Sequence, residues 1–146
     1  MKKFTFAFGR FNPPTLGHRK LADKVTDTAI KNKSRDHAIY LSHSQDKRDN
    51  PLSYEDKIHY SRIAFGDLVR RSKARTIIEV MKEIEKQKFT DVVVVAGSDR
   101  VREFETLLKK YNGKDYNFNS IEVVSAGERD PDAKAASEAF WIFIGK

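Results

Sequence analysis

The chain contains no cysteine among its 146 residues, and this absence excludes disulfides, thiolate catalysis and zinc–thiolate sites together. No apolar run approaches the length needed to span a bilayer. Met1-Lys2-Lys3 leads into an apolar stretch that is too short for a signal-peptide core and carries no cleavage site. Internal repeats, low-complexity segments and inter-domain linkers are also missing. These absences predict a cytoplasmic protein with no membrane partner, folded as one domain over residues 1–146. What is present in quantity is charge: 34% of residues are charged against 39% hydrophobic, a highly charged surface around an adequate core. The 28 Lys and Arg outnumber the 21 Asp and Glu, for a net charge of +7. Most of these charges interleave, as in Lys82-Glu83 and Glu85-Lys86, the pattern of solvated helix faces. The excess suits a polyanionic ligand without naming one. No aromatic stacking series or nucleic-acid motif accompanies it, so a nucleic-acid partner is not expected.

The most informative stretch is Phe4-Thr-Phe-Ala-Phe-Gly-Arg-Phe-Asn-Pro-Pro-Thr-Leu-Gly-His18. Phe4 to Phe8 carries no charge and reads as a strand buried in a parallel sheet. Gly9 ends it, and Pro13-Pro14, with no N–H to donate, continues neither strand nor helix. Thr15 stands at a helix N-cap position, with helical apolar spacing from Leu16 onward. Strand, tight loop and helix start together aim free N–H groups and a positive dipole end at one point above the sheet edge, a geometry suited to phosphate. Arg10, Thr15 and His18 place a cation, a hydroxyl and an imidazole around that point, without a Walker A sequence.

Further elements follow in alternation. Leu21, Val25 and Ala29 predict a helix over 16–31, and His37 to Leu41 a second strand. Ser53 with Asp56, and Thr76 with Glu79, read as capping boxes. The first opens a helix carrying Tyr54, Ile58, Phe65 and Leu68 inward, and the second a helix carrying Ile77, Val80, Met81 and Ile84. Asp91 to Ala96 is the clearest buried strand; Gly97-Ser98-Asp99 turns it into a helix that Asn112-Gly113 stops. Ser120 to Val124 is a fourth strand. The alternation predicts an α/β fold, a Rossmann-like doubly wound parallel sheet in three α/β/α layers. Ligands of such sheets bind beyond the carboxyl ends of the strands, where the strand order reverses. The loops 9–18, 42–50, 97–102 and 125–132 all lead to that rim.

Gly9-Arg-Phe-Asn-Pro-Pro-Thr-Leu-Gly-His18 resembles the signature of the nucleotidyltransferase superfamily whose loop reads [HT]-x-G-H. That superfamily includes the nicotinamide-nucleotide and phosphopantetheine adenylyltransferases and small cytidylyltransferases, and the sequence also resembles the small members encoded by bacterial viruses. Thr-x-Gly-His alone arises by chance; strand, Gly-x-Phe-Asn-Pro and helix around it give it weight. The resemblance implies that His18 sits over the α-phosphate and that Thr15 and N–H groups near Gly17 hold the triphosphate. It further implies that Arg10 neutralises an acceptor or triphosphate oxygen, with Gly9, Phe11 and Asn12 lining the nucleotide. Lys47, Arg48 and Asn50 resemble a segment that flanks the acceptor pocket; Lys47-Arg48 taken alone reads as an exposed basic pair, and its position after the second strand makes the two accounts equal. Gly97-Ser98-Asp99 resembles a turn lying against ribose or base, with Arg100 as a triphosphate ligand; Asp99 is equally explained as a residue satisfying its helix dipole. His43 is a weaker rim candidate, and His37 and His59 read as structural or solvated.

The end of the chain departs from the family pattern. An I-S-[ST]-x-x-[RK] signature usually follows the last core strand, where its basic residue holds the terminal phosphates. Here Ser125-Ala-Gly-Glu-Arg129 follows instead, with Ser125 and Arg129 as the nearest substitutes, and the tail from about residue 126 is atypical. Its apolar Phe140 to Ile144 either returns to the core or covers a neighbouring subunit, which leaves a homo-oligomer open. The resemblance implies transfer of a nucleoside monophosphate, AMP ahead of CMP, from a triphosphate to a phosphorylated small molecule such as nicotinamide mononucleotide. Mg2+ accompanies the triphosphate, and no dedicated carboxylate pair for it is visible. The alternative is a degenerate nucleotide-binding module within a larger assembly.

Overall fold

The structure, a computed structural model, describes residues 2–11, 16–43 and 52–127. Five parallel strands form one sheet in the order β3-β2-β1-β4-β5. They are β1 (Lys3–Gly9), β2 (His37–Leu41), β3 (Val69–Arg70), β4 (Asp91–Ala96) and β5 (Ser120–Ser125). The helices are α1 (Leu16–Lys31), α2 (Tyr54–Phe65), α3 (Ile77–Lys86) and α4 (Val101–Lys110). None of the helices among the described residues is long and apolar enough to cross a membrane.

Strand periodicity divides the side chains between two helical layers. Phe4, Phe6, Val92 and Val94 point to one face, where Ile77, Val80, Met81 and Ile84 of α3 and Phe104 and Leu108 of α4 cover them. Ala7 and Val95 point to the other, against Ala22 and Val25 of α1 and Ile58 of α2. Burial on both sides explains why β4 reads as an unbroken valine run, all six of its residues being buried. The expected three-layer α/β/α arrangement is therefore present. The strand order reverses between β1 and β4, whose registers run Lys3 with Asp91 through Ala7 with Val95.

Two expectations along the chain need correction. The helix after Ser53 does not reach Leu68: Gly66, at φ +62°, ends it after Phe65, and a 3-10 turn carries Leu68. Immediately beyond lies a fifth strand, β3, paired with Ile39 and Tyr40. Two residues are too few for a periodic signal. Their pairing rests on tertiary contacts: Val69 is buried, and the Arg70 guanidinium lies 5.2 Å from the centre of the Phe4 ring. The caps differ as well. Thr76 and Glu79 close reciprocally, whereas Ser53 makes the forward bond to the Asp56 N–H at 3.2 Å.

Candidate active site at the sheet rim

The rim is built outward from β1. Gly9 is the last residue of the strand, its carbonyl accepting from the Ser42 N–H at 2.8 Å and so extending the pairing with β2 by one step. A Cβ on Gly9 would come within 2.8 Å of the Phe11 ring, so the residue must be glycine for the chain to double back here. Phe11 takes φ +48°, an uncommon conformation for a bulky side chain, and its ring is fully buried. That burial holds the bend. The ring meets Phe65 of α2 edge-on at 5.9 Å and stacks face to face on His18 at 4.0 Å, the planes 15° apart. Phe11 therefore has no side-chain surface to offer a nucleotide; it reaches a ligand only through the imidazole that it holds.

His18 is half-buried in the first turn of α1, beside Gly17. That turn contains no acidic residue, whereas α2 begins with Glu55 and Asp56, α3 with Glu79 and α4 with Glu103. Three helices thus neutralise their own positive ends with carboxylates. The helix carrying His18 does not, leaving its dipole for an external anion.

A residue absent from the sequence-based expectations occupies the neighbouring strand exit. Lys57 of α2 is fully buried and donates to the Ser42 carbonyl at 3.0 Å and the Ser42 Oγ at 3.1 Å. Burial, and secondarily the like charge of Arg10, pushes its pKa down to about 8. A signal for it exists, because Tyr54, Lys57, Ile58, Ser61 and Phe65 share one helical face, and Lys57 and Ser61 interrupt it with polar atoms. His43, next along, stacks on Tyr54 with centroids 3.8 Å apart, and its Nε2 lies 2.9 Å from the Ser72 carbonyl. A carbonyl only accepts, so that nitrogen carries the proton, and His43 serves as a latch between the β2 exit and the segment after β3.

The β4 exit is built differently. The Asp99 carboxylate folds over Gly97, 2.9 Å from where a Cβ would stand. Ser98, Asp99 and Arg100 are exposed. Arg100 pairs with Glu103 at 3.0 Å and lies over the Phe104 ring at 5.0 Å. The β5 exit is tied to it, the Ala126 N–H donating to the Ala96 carbonyl and the Ser98 N–H to the Gly127 carbonyl. Ser125 Oγ accepts from the Gly127 N–H at 3.0 Å, which commits one of its lone pairs to the local turn.

The rim thus brings together Gly9, Arg10, Phe11, Gly17 and His18 on one side of the switch point and Gly97, Ser98, Asp99, Arg100 and Ser125 on the other. Asn12, Thr15, Lys47, Arg48, Asn50 and Arg129 lie outside the described residues. No group of three or more His, Asp or Glu that could hold a metal ion exists among the described residues.

The sequence profile of the cytidylyltransferase-like family matches residues 6–138. No protein of curated function matches the chain. Among solved structures, one assigned as a nicotinate-nucleotide adenylyltransferase from Vibrio parahaemolyticus is 16% identical, with a TM-score of 0.57 over 100% of this chain and 90% of that one. At that identity the likeness establishes the fold, the Rossmann-like α/β sheet described above. The family assignment rests on the profile, which runs from within β1 past the end of β5 and includes His18, and it places the chain in the cytidylyltransferase-like family of nucleotidyltransferases.

Proposed function

We propose that the protein transfers AMP from ATP to a phosphorylated small molecule, with nicotinamide mononucleotide as the leading acceptor, and releases pyrophosphate. The observation that carries this reading is the His18 imidazole, held by the Phe11 stack in the first turn of α1, a turn without an acidic residue. An acceptor phosphate oxygen attacks the α-phosphorus in line, and the bond from that phosphorus to the oxygen bridging the β-phosphorus breaks. Pyrophosphate leaves with the electron pair. The nucleophile is already anionic, so positioning and charge neutralisation suffice. His18 donates to an α-phosphate oxygen as charge builds there, and Arg10 neutralises an oxygen on the acceptor side. Magnesium, brought in with the triphosphate, would supply further charge neutralisation.

The preference for adenine rests on Gly9-Arg10-Phe11 and on Gly97-Ser98-Asp99, both of the adenylyltransferase kind, and agrees with the activity assigned to the Vibrio structure. A second reading, a nucleotide-binding module without turnover, is favoured by the unusual sequence after Ser125. Pyrophosphate release, measured with magnesium, ATP or CTP and a panel of phosphorylated acceptors, decides between them. Release with ATP and one acceptor is the expected result, and release only with CTP would reverse the base assignment. Triphosphate binding by calorimetry without any release would support the second reading.

A further inference from the structure

Lys57 and Asp91 are the two buried side chains of ordinarily charged type among the described residues, and their surroundings are opposite. Asp91, at the far end of the sheet, accepts hydrogen bonds from the hydroxyls of Thr90 and Ser120, and the Lys3 charge acts on it favourably. Among the described residues, Lys57 bonds to the neutral oxygens of Ser42 alone, and the charge acting on it, that of Arg10, has its own sign. Two of its three N–H bonds have acceptors among the described residues. Removing an ammonium from water costs several kcal/mol, and a like charge nearby adds to that. Holding Ser42 in place does not require this cost, because a neutral amide would donate to the same oxygens. The charge itself therefore has a use.

That use follows from position. Lys57 donates to Ser42 just past the end of β2, Arg10 follows the last residue of β1, and these two strands are paired neighbours, so on the transferase reading the acceptor enters beside both cations. A phosphate monoester near neutral pH carries close to two negative charges, which a single arginine leaves incompletely neutralised. We propose that Lys57 is a positioning residue of the acceptor subsite: Arg10 contacts the acceptor's phosphate, while the buried Lys57 ammonium supplies a second positive charge behind it and fixes Ser42 where β2 opens into the rim. This assignment rests on the transferase reading for the identity of the acceptor. The preference for a phosphate dianion rests on the two cations alone.

The test uses inorganic phosphate as a probe, titrated by calorimetry into wild type, Lys57→Met, Lys57→Gln, Lys57→Arg and a surface control, Lys86→Met. Lys57→Met and Lys57→Gln are expected to weaken phosphate binding tenfold or more. Lys57→Arg should restore most of it, and Lys86→Met should change it less than twofold. In the pyrophosphate assay, KM for the acceptor should rise tenfold or more in the two neutral variants, KM for ATP less than twofold, and kcat should fall by a smaller factor than the acceptor KM rises. Should Lys57→Met not fold, Lys57→Gln, which keeps a donor for Ser42, carries the test. Unchanged phosphate affinity in the neutral variants, no phosphate binding by wild type, or a parallel rise in both KM values would overturn the assignment. Wild type that binds phosphate through Lys57 but releases no pyrophosphate would sink the transferase reading and leave the anion subsite standing. Turnover with an unchanged acceptor KM in the variants would do the reverse.

Discussion

The two halves of the rim are prepared for a ligand by different means. At the β1 and β2 exits the polar groups are fixed by the core: Phe11 is wholly buried under His18, and Lys57 is sunk beside Ser42. At the β4 and β5 exits the side chains are exposed, Arg100 is occupied by Glu103, and what is fixed is backbone, through the bonds of Ala126 and Ser98. A half built on packing is preorganised, and a change to it is felt in stability and catalysis together. A half built on exposed side chains over a tied backbone adapts to its ligand, and a change there is felt in affinity alone.

Substitutions test this division. Phe11→Ala removes a fully buried ring and is expected to cost about 3–5 kcal/mol of stability, read by denaturant unfolding, and to release the imidazole it holds. A loss of less than about 1 kcal/mol would show that the bend does not depend on packing. His18→Ala, on a half-buried residue, should lower turnover by roughly 100- to 1,000-fold while triphosphate affinity falls only a few-fold, since its contribution lies mainly in the transition state. Near-normal turnover would remove His18 from the chemistry.

Proton linkage at Lys57 gives a smaller effect with a definite sign. Its folded pKa of about 8 lies below the ordinary 10.5, so between those values the unfolded chain holds a proton that the folded chain has released. Stability attributable to this group is therefore lowest below pH 8 and rises with pH through that window, by roughly 1 kcal/mol at pH 9. Parallel unfolding of wild type and Lys57→Met from about pH 7 to 10 should show a gain in wild type that the variant does not share. The smallest effect belongs to the adaptable half. Arg100→Ala breaks an exposed pair, so the melting temperature should stay within a degree or two while KM for the triphosphate rises a few-fold. A large loss of stability would contradict the division between the two halves.

Much of this arrangement is legible in the sequence. The bounds of α1 and β2 coincide with the expected 16–31 and 37–41, because amphipathic spacing and a short apolar run are strong local signals. The reciprocal Thr76–Glu79 cap is equally visible, being a pattern of two residues at fixed spacing. β3 is not, since a two-residue edge strand exists only through its neighbours. Within the site, the motif identifies the loop but not the part each residue plays. It implies that Phe11 lines the nucleotide, and nothing local to the sequence reveals that a glycine two residues earlier lets the ring turn inward. Lys57 is easily passed over because a lysine on a helix is ordinarily solvated; its place on the inward helical face, where it is buried with Ile58 and Ser61, marks it as an exception.

The stack of His18 on Phe11 also restricts direction. An imidazole donates and accepts in the plane of its ring, and here that plane lies within 15° of a phenyl ring packed into the core. The nitrogens can therefore address only a thin sheet of space parallel to Phe11, because one ring face is covered and tilting is resisted by the packing beneath it. A tetrahedral phosphate has oxygens on several sides, yet only those entering that sheet receive the hydrogen bond at full strength. The ring pair works as a goniometer: it sets the angle at which the phosphorus must present itself before charge on its oxygens is stabilised.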